Sequence, residues 1–425
     1  MVSTRQSVWL IIFSLTLHFA GYYVLFNKIE PFLYFFYIAA WWSYIFFIDA
    51  VLAIKTKKLL ILNRRLPFLV VISCGFWCLF EIINIRLQNW FYVNLPEEMY
   101  YRYAGYLFAY GTVIPAIYVT KKFIENFLGK IKIKPFRMKH YSLYSIPLGI
   151  IILFLIYLFP DYFFPFTWIF LAFILDGYNY RRGYASFMRD FEEGNATRFI
   201  AAIISGFVCG LLWETWNSFS VSKWVYSVPF FENLKIFEMP LPGYIGFLVF
   251  GLETVTFVNF LDGIRSYKKS IPLSKHGKLD TSLRVRERYP FAGVPLIAAL
   301  VSLFFSILSF TLIDRYTVFS FAPKIEDIDF IGRERLNYLK SHGVRTSFGI
   351  DIKLLALQER EDLKLLHLKG LGLQNFSKLK RQSIKSINDL SKLDETALSK
   401  ILNEDNMRRV RIYLKAAAKT VNSDR

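Results

Sequence analysis

Residues 210–226, GLLWETWNSFSVSKWVY, set Glu214 and Asn217 one helical turn apart just inside the end of a long apolar run. Residues 78–92, CLFEIINIRLQNWFY, repeat the arrangement with Glu81 and Asn84. Positions three apart share one face of a helix, so each apolar segment carries a carboxylate and an amide on the same side. Trp90 and Tyr92 answer Trp224 and Tyr226 after a one-residue insertion. The match extends both ways. Upstream, WSYIFFIDAVLAIKTKK closes on Asp49 before a basic loop, as TWIFLAFILDGYNYRRG does on Asp176. Downstream, YAGYLFAYGTVIPAIY around Gly105 and Tyr106 matches LPGYIGFLVFGLETVTF around Gly243 and Tyr244.

These segments belong to a chain of 425 residues, 54% apolar and 19% aromatic. Apolar runs fall at roughly 8–26, 32–54, 66–86, 103–120, 142–159, 163–179, 199–218, 241–262 and 291–313. About 20 apolar residues in a helix cross the hydrocarbon core. The runs are continuous, not alternating, which selects helices over a barrel. The expectation is an all-α polytopic membrane bundle of about nine spans. Residues 1–140 and 141–264 form two copies of a four-helix unit, and an even number of spans per copy makes the repeat parallel. Residues 265–319 supply a basic loop and the ninth span; residues 320–425, polar and lysine-rich, form a separate helical domain.

The net charge of +19 is not spread evenly. Lys and Arg crowd the loops at 55–65, 121–140, 180–190 and 264–288, and are sparse at 27–31, 87–102, 160–162 and 219–240. The positive-inside rule then puts the basic loops and the N-terminus in the cytoplasm of an inner membrane, with the C-terminal domain outside. The charge reads as topology, not as a nucleic-acid footprint. Cys74, Cys78 and Cys209 lie in apolar runs and suggest no disulfide framework, and five scattered histidines suggest no metal site. Nucleotide loops, catalytic triads and zinc signatures are missing, so neither metal nor cofactor is expected.

Glu81 and Glu214 are the catalytic candidates. Asn84, Asn217, Trp90, Trp224, Tyr92 and Tyr226 complete a polar and aromatic set that either lines a cavity or joins the two halves. Buried carboxylates in a bilayer are costly unless paired or wetted. Two readings stand open: hydrogen bonding across a pseudo-twofold axis, or a pocket capped by the loops NWFYVNLPEEMYYRY and KWVYSVPFFENLKIFEMPLPGY. Asp49 and Asp176 are expected to make interfacial salt bridges with Lys55, or with Arg181 and Arg182. Glu253 has no acidic counterpart in the first copy.

Near the end, LKGLGLQNFSKLKRQSIKSINDLSKLDETALSKIL joins two short helices through Gly370-Leu371-Gly372. This resembles the helix-hairpin-helix family. An earlier copy, IDFIGRERLNYLKSHGVRTSFGIDIKLLAL, aligns Gly332, Leu339 and Val344 with Gly372, Leu379 and Ile384, with Phe330 in place of the first glycine. The tandem pair is similar to a small helical domain recurring in prokaryotic proteins of unknown function. The resemblance implies phosphate contact through Gly370, Gly372 and Lys369, with Lys378, Lys380 and Arg381 nearby. DNA is reachable only if the C-terminus is cytoplasmic; outside, the domain is expected to take a protein partner.

The membrane part resembles uncharacterised prokaryotic membrane proteins bearing LLWETWN and KIFEMPLPGY motifs. Its glutamate-bearing span, Trp/Tyr loop and LPEE or EMPLP segment are also similar to small carotenoid cyclases and hydratases. That resemblance implies acid chemistry on a polyene by Glu81, Glu214, Glu97 and Glu98, with aromatic faces stabilising a cation. The expected functions, in order, are a membrane-anchored scaffold, an enzyme acting on an isoprenoid or lipid, and a proton-coupled transporter, with membrane lipid as the common partner.

Overall fold

The computed structural model describes residues 2–231, 234–267 and 296–423. The basic loop from 268 onward and the first residues of the ninth expected span, 291–295, lie outside the described residues. The first half contains α1 (Thr4–Phe26), α2 (Phe36–Thr56), α3 (Leu66–Leu87), the strand β1 (Trp90–Val93), α4 (Met99–Tyr110) and α5 (Val113–Leu128). The second contains α6 (Tyr141–Leu158), the single turn α7 (Pro160–Phe163), α8 (Phe170–Arg182), α9 (Phe187–Glu192), α10 (Thr197–Phe219), β2 (Lys223–Tyr226), the short pair β3 (Lys235–Ile236) and β4 (Met239–Pro240), and α11 (Tyr244–Tyr267). A last long helix, α12 (Leu296–Tyr316), packs on α3. The chain is thus an all-α, multi-pass membrane bundle.

Among the described residues seven helices are long and apolar enough to cross a membrane, not nine. The two expected segments that fall short, 103–120 and 163–179, are interrupted. Backbone groups freed at membrane depth must find partners inside the protein, and here neighbouring helices provide them. Between α4 and α5, the Ser73 hydroxyl donates to the Tyr110 carbonyl at 2.7 Å and accepts from the Ile114 amide at 3.0 Å. Ahead of α8 the chain makes a tight turn over Phe164–Trp168, and the Glu253 carboxylate accepts the Leu171 amide at 2.8 Å. Glu253 therefore caps a helix start inside the bundle.

Asp49 and Asp176 serve their loops in the same way. Asp49 accepts the amides of Leu60, Ile61 and Leu62 at 2.7–2.9 Å. Asp176 accepts those of Phe187 and Met188 and the Tyr141 hydroxyl. These main-chain clamps replace the salt bridges expected from sequence, because the turn after each span buries amides that lack ladder partners. Close packing of α10 on α11 depends on small residues, as membrane interfaces do: a Cβ at Gly206 would sit 2.1 Å from the Phe247 carbonyl oxygen.

Above the helix ends β1 and β2 pair antiparallel. Trp90 faces Tyr226, Phe91 faces Val225 and Tyr92 faces Trp224. Residues equated by the sequence match thus exchange places about the Phe91/Val225 pair, as a twofold axis through that pair requires. Alternation along a strand gives the ribbon two faces. Phe91, Val93 and Val225 pack outward with Phe319 and Ile412. The segment 317–322 runs parallel to β1 as a third strand-like element, with Tyr92 N bonded to Thr317 O and Phe319 N to Tyr92 O, both at 2.8 Å.

The C-terminal domain folds as α13 (Arg333–Ser341), α14 (Leu357–His367), α15 (Gly372–Arg381), α16 (Ile387–Ser391), α17 (Glu395–Leu402) and α18 (Met407–Ser423). Leu339, Leu365, Phe376, Leu379, Leu390, Leu398 and Val410 form its core. It caps the ribbon end of the bundle. Lys28 reaches the Ile350 carbonyl, Glu30 accepts the Arg345 amide at 2.8 Å, and Arg408 donates to the Leu87 carbonyl.

Candidate functional site

Each Glu-x-x-Asn face works on its own strand. The Asn84 side-chain amide donates to the Trp90 carbonyl at 2.8 Å, while its oxygen accepts from the amides of Asn89 and Trp90. Asn217 donates to the Trp224 carbonyl and accepts the Trp224 amide, at 3.0 and 3.1 Å. An asparagine brackets a backbone donor and acceptor as a neighbouring strand would, so each helix end fixes the ribbon strand that follows it. Of the two readings left open by the sequence, direct bonding of the Glu-Asn faces across the axis gives way to an indirect joint. The two faces bond to their own strands, and the strands bond to each other.

The glutamates point at the inward aromatics. The Glu81 carboxylate accepts from Trp77 Nε1 at 2.7 Å, from the Tyr92 hydroxyl at 2.6 Å, and from Trp90 Nε1 at 3.2–3.3 Å. Tyr110 then donates to the Tyr92 oxygen at 3.0 Å. Glu214 accepts the Tyr226 hydroxyl at 2.8 Å; its other oxygen, fully buried, makes no side-chain hydrogen bond among the described residues, and the Met239 amide stands near the carboxylate. Part of the asymmetry has a local cause. Trp77 stands four residues before Glu81; Gly210 stands four before Glu214. A Cβ at Gly210 would lie 2.2 Å from the Phe247 ring, so that position has no room for a tryptophan.

Trp90, Tyr92, Trp224 and Tyr226 form the roof of a narrow chamber of about 100 Å³ between the halves. Its walls and floor add Tyr37, Trp77, Tyr110, Trp168, Trp213 and Phe250. The rings pack closely: Trp77 and Trp213 centroids are 4.8 Å apart, and Trp168 stacks on Trp90 at 5.9 Å. Glu81, Glu214, Asn84 and Asn217 do not line it. They lie behind the wall, and the tyrosine hydroxyls connect the carboxylates to the space. At the mouth, Arg102 holds Asp314 with two nitrogens and donates to the Pro96 and Glu97 carbonyls, tying α4 to the end of α12.

Outside the mouth is a polar vestibule of about 510 Å³ between the bundle and the C-terminal domain. Glu30, Glu97, Glu98, Lys324, Lys340 and Arg345 surround it, and it shares Tyr34, Phe35, Pro96 and Tyr101 with the chamber. Glu97 pairs with Lys324 at 2.7 Å. Glu97 and Glu98, carried over by the carotenoid-enzyme resemblance, therefore sit at the vestibule, apart from Glu81 and Glu214.

The hairpin Gly370-Leu371-Gly372 faces the bundle. Both glycines take positive φ, +69° and +73°, and a Cβ at Gly370 would come within 2.2 Å of Val93. Lys369 is ion-paired with Glu238 at 2.6 Å, and Lys223 stands 3.9 Å from the same carboxylate. Burial pushes the Lys223 ammonium down, against the pull of Glu238. The phosphate-binding candidates Gly370, Gly372 and Lys369 are thus engaged in an internal contact. Among the described residues no cluster of His, Cys, Asp or Glu could hold a metal ion.

Sequence reasoning missed Trp77, Tyr110, Trp168, Trp213 and Phe250. Trp77 had a signal, since positions four apart on a helix meet; the others sit in apolar runs where lipid contact reads the same. No family model, curated protein or solved structure matches the chain.

Proposed function

We propose that this is an inner-membrane protein that binds the hydrocarbon chain of a lipid or isoprenoid in the aromatic chamber, with the N-terminus cytoplasmic and the C-terminal domain an extracytoplasmic cap. The observation that carries this is the chamber: a slot between the two halves, walled by tryptophan and tyrosine rings. Concave, mostly apolar sites with a few placed polar groups are where small ligands bind, and aromatic faces add specific attraction for polarisable chains. The scaffold reading is weaker, because the hairpin face that would recruit a partner is pressed against β1. The interrupted backbone at Gly111 lies beside the chamber-lining residues Tyr110 and Val113, as irregular backbone at membrane depth commonly lines cavities.

The test is extraction of the purified protein with organic solvent after detergent exchange, followed by mass analysis. The expected result is about one apolar lipid per chain, as a single pocket dictates, and its loss from Ala109→Trp, which fills the wall. A lipid profile identical in both proteins contradicts the proposal.

A second reading, an enzyme acting on that chain, is favoured by Glu214 and Tyr226. A proton passes from the Glu214 carboxyl through the Tyr226 hydroxyl to a double bond of the ligand, the rings stabilise the resulting carbocation, and loss of a proton from a neighbouring carbon back along the same path forms a new double bond and restores the Glu214 carboxyl. This reading expects Glu214→Gln to fold and to bind ligand while leaving it unconverted. Conversion at the parental rate contradicts it.

A further inference from the structure

Along one seam the residues that line the chamber are themselves partly exposed on the bundle exterior. On the α2 side the seam presents Phe35 and Ile38, and on the α4 side Tyr101, Gly105 and Ala109, all chamber-lining and all half-buried. The floor residues Trp77 and Phe250 are buried. Gly105 and Ala109 lie four apart on one face of α4. They leave a shallow groove in which the Phe35 ring rests, 3.7 Å from where a Gly105 Cβ would be. Below the seam, Trp42 Nε1 donates to the Phe108 carbonyl and closes α2 against α4. Phe32 and Phe108 flank the seam outside, 62% and 48% exposed, as residues facing hydrocarbon do. Above it lies the charged vestibule, at the helix ends where lipid headgroups sit.

Resting on the chamber reading above, we propose that the chamber is loaded sideways from the bilayer. One hydrocarbon chain of a membrane lipid passes between α2 and α4 with the Phe35 ring as gate, while the polar head stays in the vestibule among Glu98, Lys340 and Arg345. The ligand is therefore an amphiphile already resident in the membrane, not a soluble metabolite. The order of contacts along the path, charged outside and aromatic inside, matches the order of groups along a lipid. Tyr34, Phe35, Pro96 and Tyr101, which line both spaces, mark where head and chain meet.

The experiment uses the full chain in phosphatidylglycerol and phosphatidylethanolamine vesicles containing a small fraction of phospholipid with a mid-chain diazirine. After irradiation, adducts are mapped by peptide mass spectrometry. The parent is expected to carry adducts on Trp77, Trp168 or Phe250, besides those on the exposed α1 residues Trp9 and Phe13. Gly105→Trp, which plugs the seam, is expected to lower chamber adducts about tenfold with the α1 adducts unchanged, and Phe35→Ala to speed their appearance. Chamber adducts at parental level in Gly105→Trp, or no acceleration in Phe35→Ala, overturn the side entry. So does their absence from a parent that still yields a bound lipid on extraction. Absence of both adducts and extractable lipid removes the chamber reading itself.

Discussion

The Glu81 and Glu214 environments start from the same four-residue pattern and end differently. Glu81 is saturated by Trp77, Trp90 and Tyr92, and its carboxylate locks three side chains of the chamber wall into one arrangement. Glu214 holds Tyr226 as its one side-chain donor among the described residues, with the Met239 amide beside it. Part of the difference lies at one position, Trp77 against Gly210, where Phe247 takes the space that a side chain would need, and part at Trp90, whose ring nitrogen donates to Glu81 while that of its counterpart Trp224 makes no bond to Glu214 among the described residues. The two segments match in sequence at both Glu and Asn, and close packing of α10 on α11 leaves Glu214 without the tryptophan that Glu81 has four residues before it. The first carboxylate is thus held by three side chains of the wall and the second by one.

The largest expected effect separates the two directly. Glu81→Ala orphans three buried donors, and each unsatisfied group costs about 1–3 kcal/mol. The loss is expected to exceed ~3 kcal/mol, seen as a large drop in Tm in detergent. Glu214→Ala orphans one buried side-chain donor, the Tyr226 hydroxyl, and should cost less, about 1–3 kcal/mol. Equal losses in thermal melts break the comparison.

Next in size is the docking of the cap. Gly370→Ala drives a methyl into Val93 at a backbone conformation L residues rarely adopt, so an overpacking cost of about 1–3 kcal/mol falls on the contact between cap and ribbon. The measurement is limited proteolysis of the segment 317–332, which should be cut faster in the variant while the bundle keeps its Tm. Unchanged cleavage means that the hairpin does not hold the cap.

A smaller, pH-dependent effect belongs to the same domain. His367 bonds to Ser347 and stacks on Phe348, and burial, with Lys28 nearby, pushes its imidazole down to about 3. The unfolded imidazole takes a proton below about 6.5 while the folded one stays neutral. Stability is therefore complete above that pH and falls by up to about 1.4 kcal/mol per unit as pH drops toward 3. Cap unfolding followed between pH 7 and 5 should show this slope, and His367→Gln should flatten it. A slope that survives the substitution assigns it to other groups.

The smallest effect is expected at Asp161, whose carboxylate is 3.7 Å from Arg408 and 60% exposed. Exposed pairs contribute about 0–1 kcal/mol, so Asp161→Asn should leave Tm nearly unchanged. Arg408→Ala should be felt more, because Arg408 also holds the Leu87 carbonyl at the end of α3.

The bundle was legible in the sequence because long apolar runs have one physical solution in a bilayer. The correspondence of Trp90 and Tyr92 with Trp224 and Tyr226 was legible from the sequence match, but their crosswise pairing in an antiparallel ribbon was not, since both segments read as loops. The breaks at Gly111 and Trp168 were not, since the groups that make them tolerable, Ser73 and Glu253, come from other helices. Nor were the clamps of Asp49 and Asp176, where nearby basic residues suggested ion pairs and unsatisfied loop amides decided the outcome. The hairpin glycines signalled a tight turn but not what it touches, because Val93 lies far away along the chain. Trp168 and Phe250 carried no mark distinguishing a chamber wall from a lipid-facing surface.

The most direct measurement is a native mass spectrum of the full-length protein released from detergent, compared with Ala109→Trp. The chamber reading predicts a parent carrying one bound molecule of lipid mass, as one chamber of this size holds, and a variant released bare. A bare parent, or an adduct of equal occupancy in both, contradicts it.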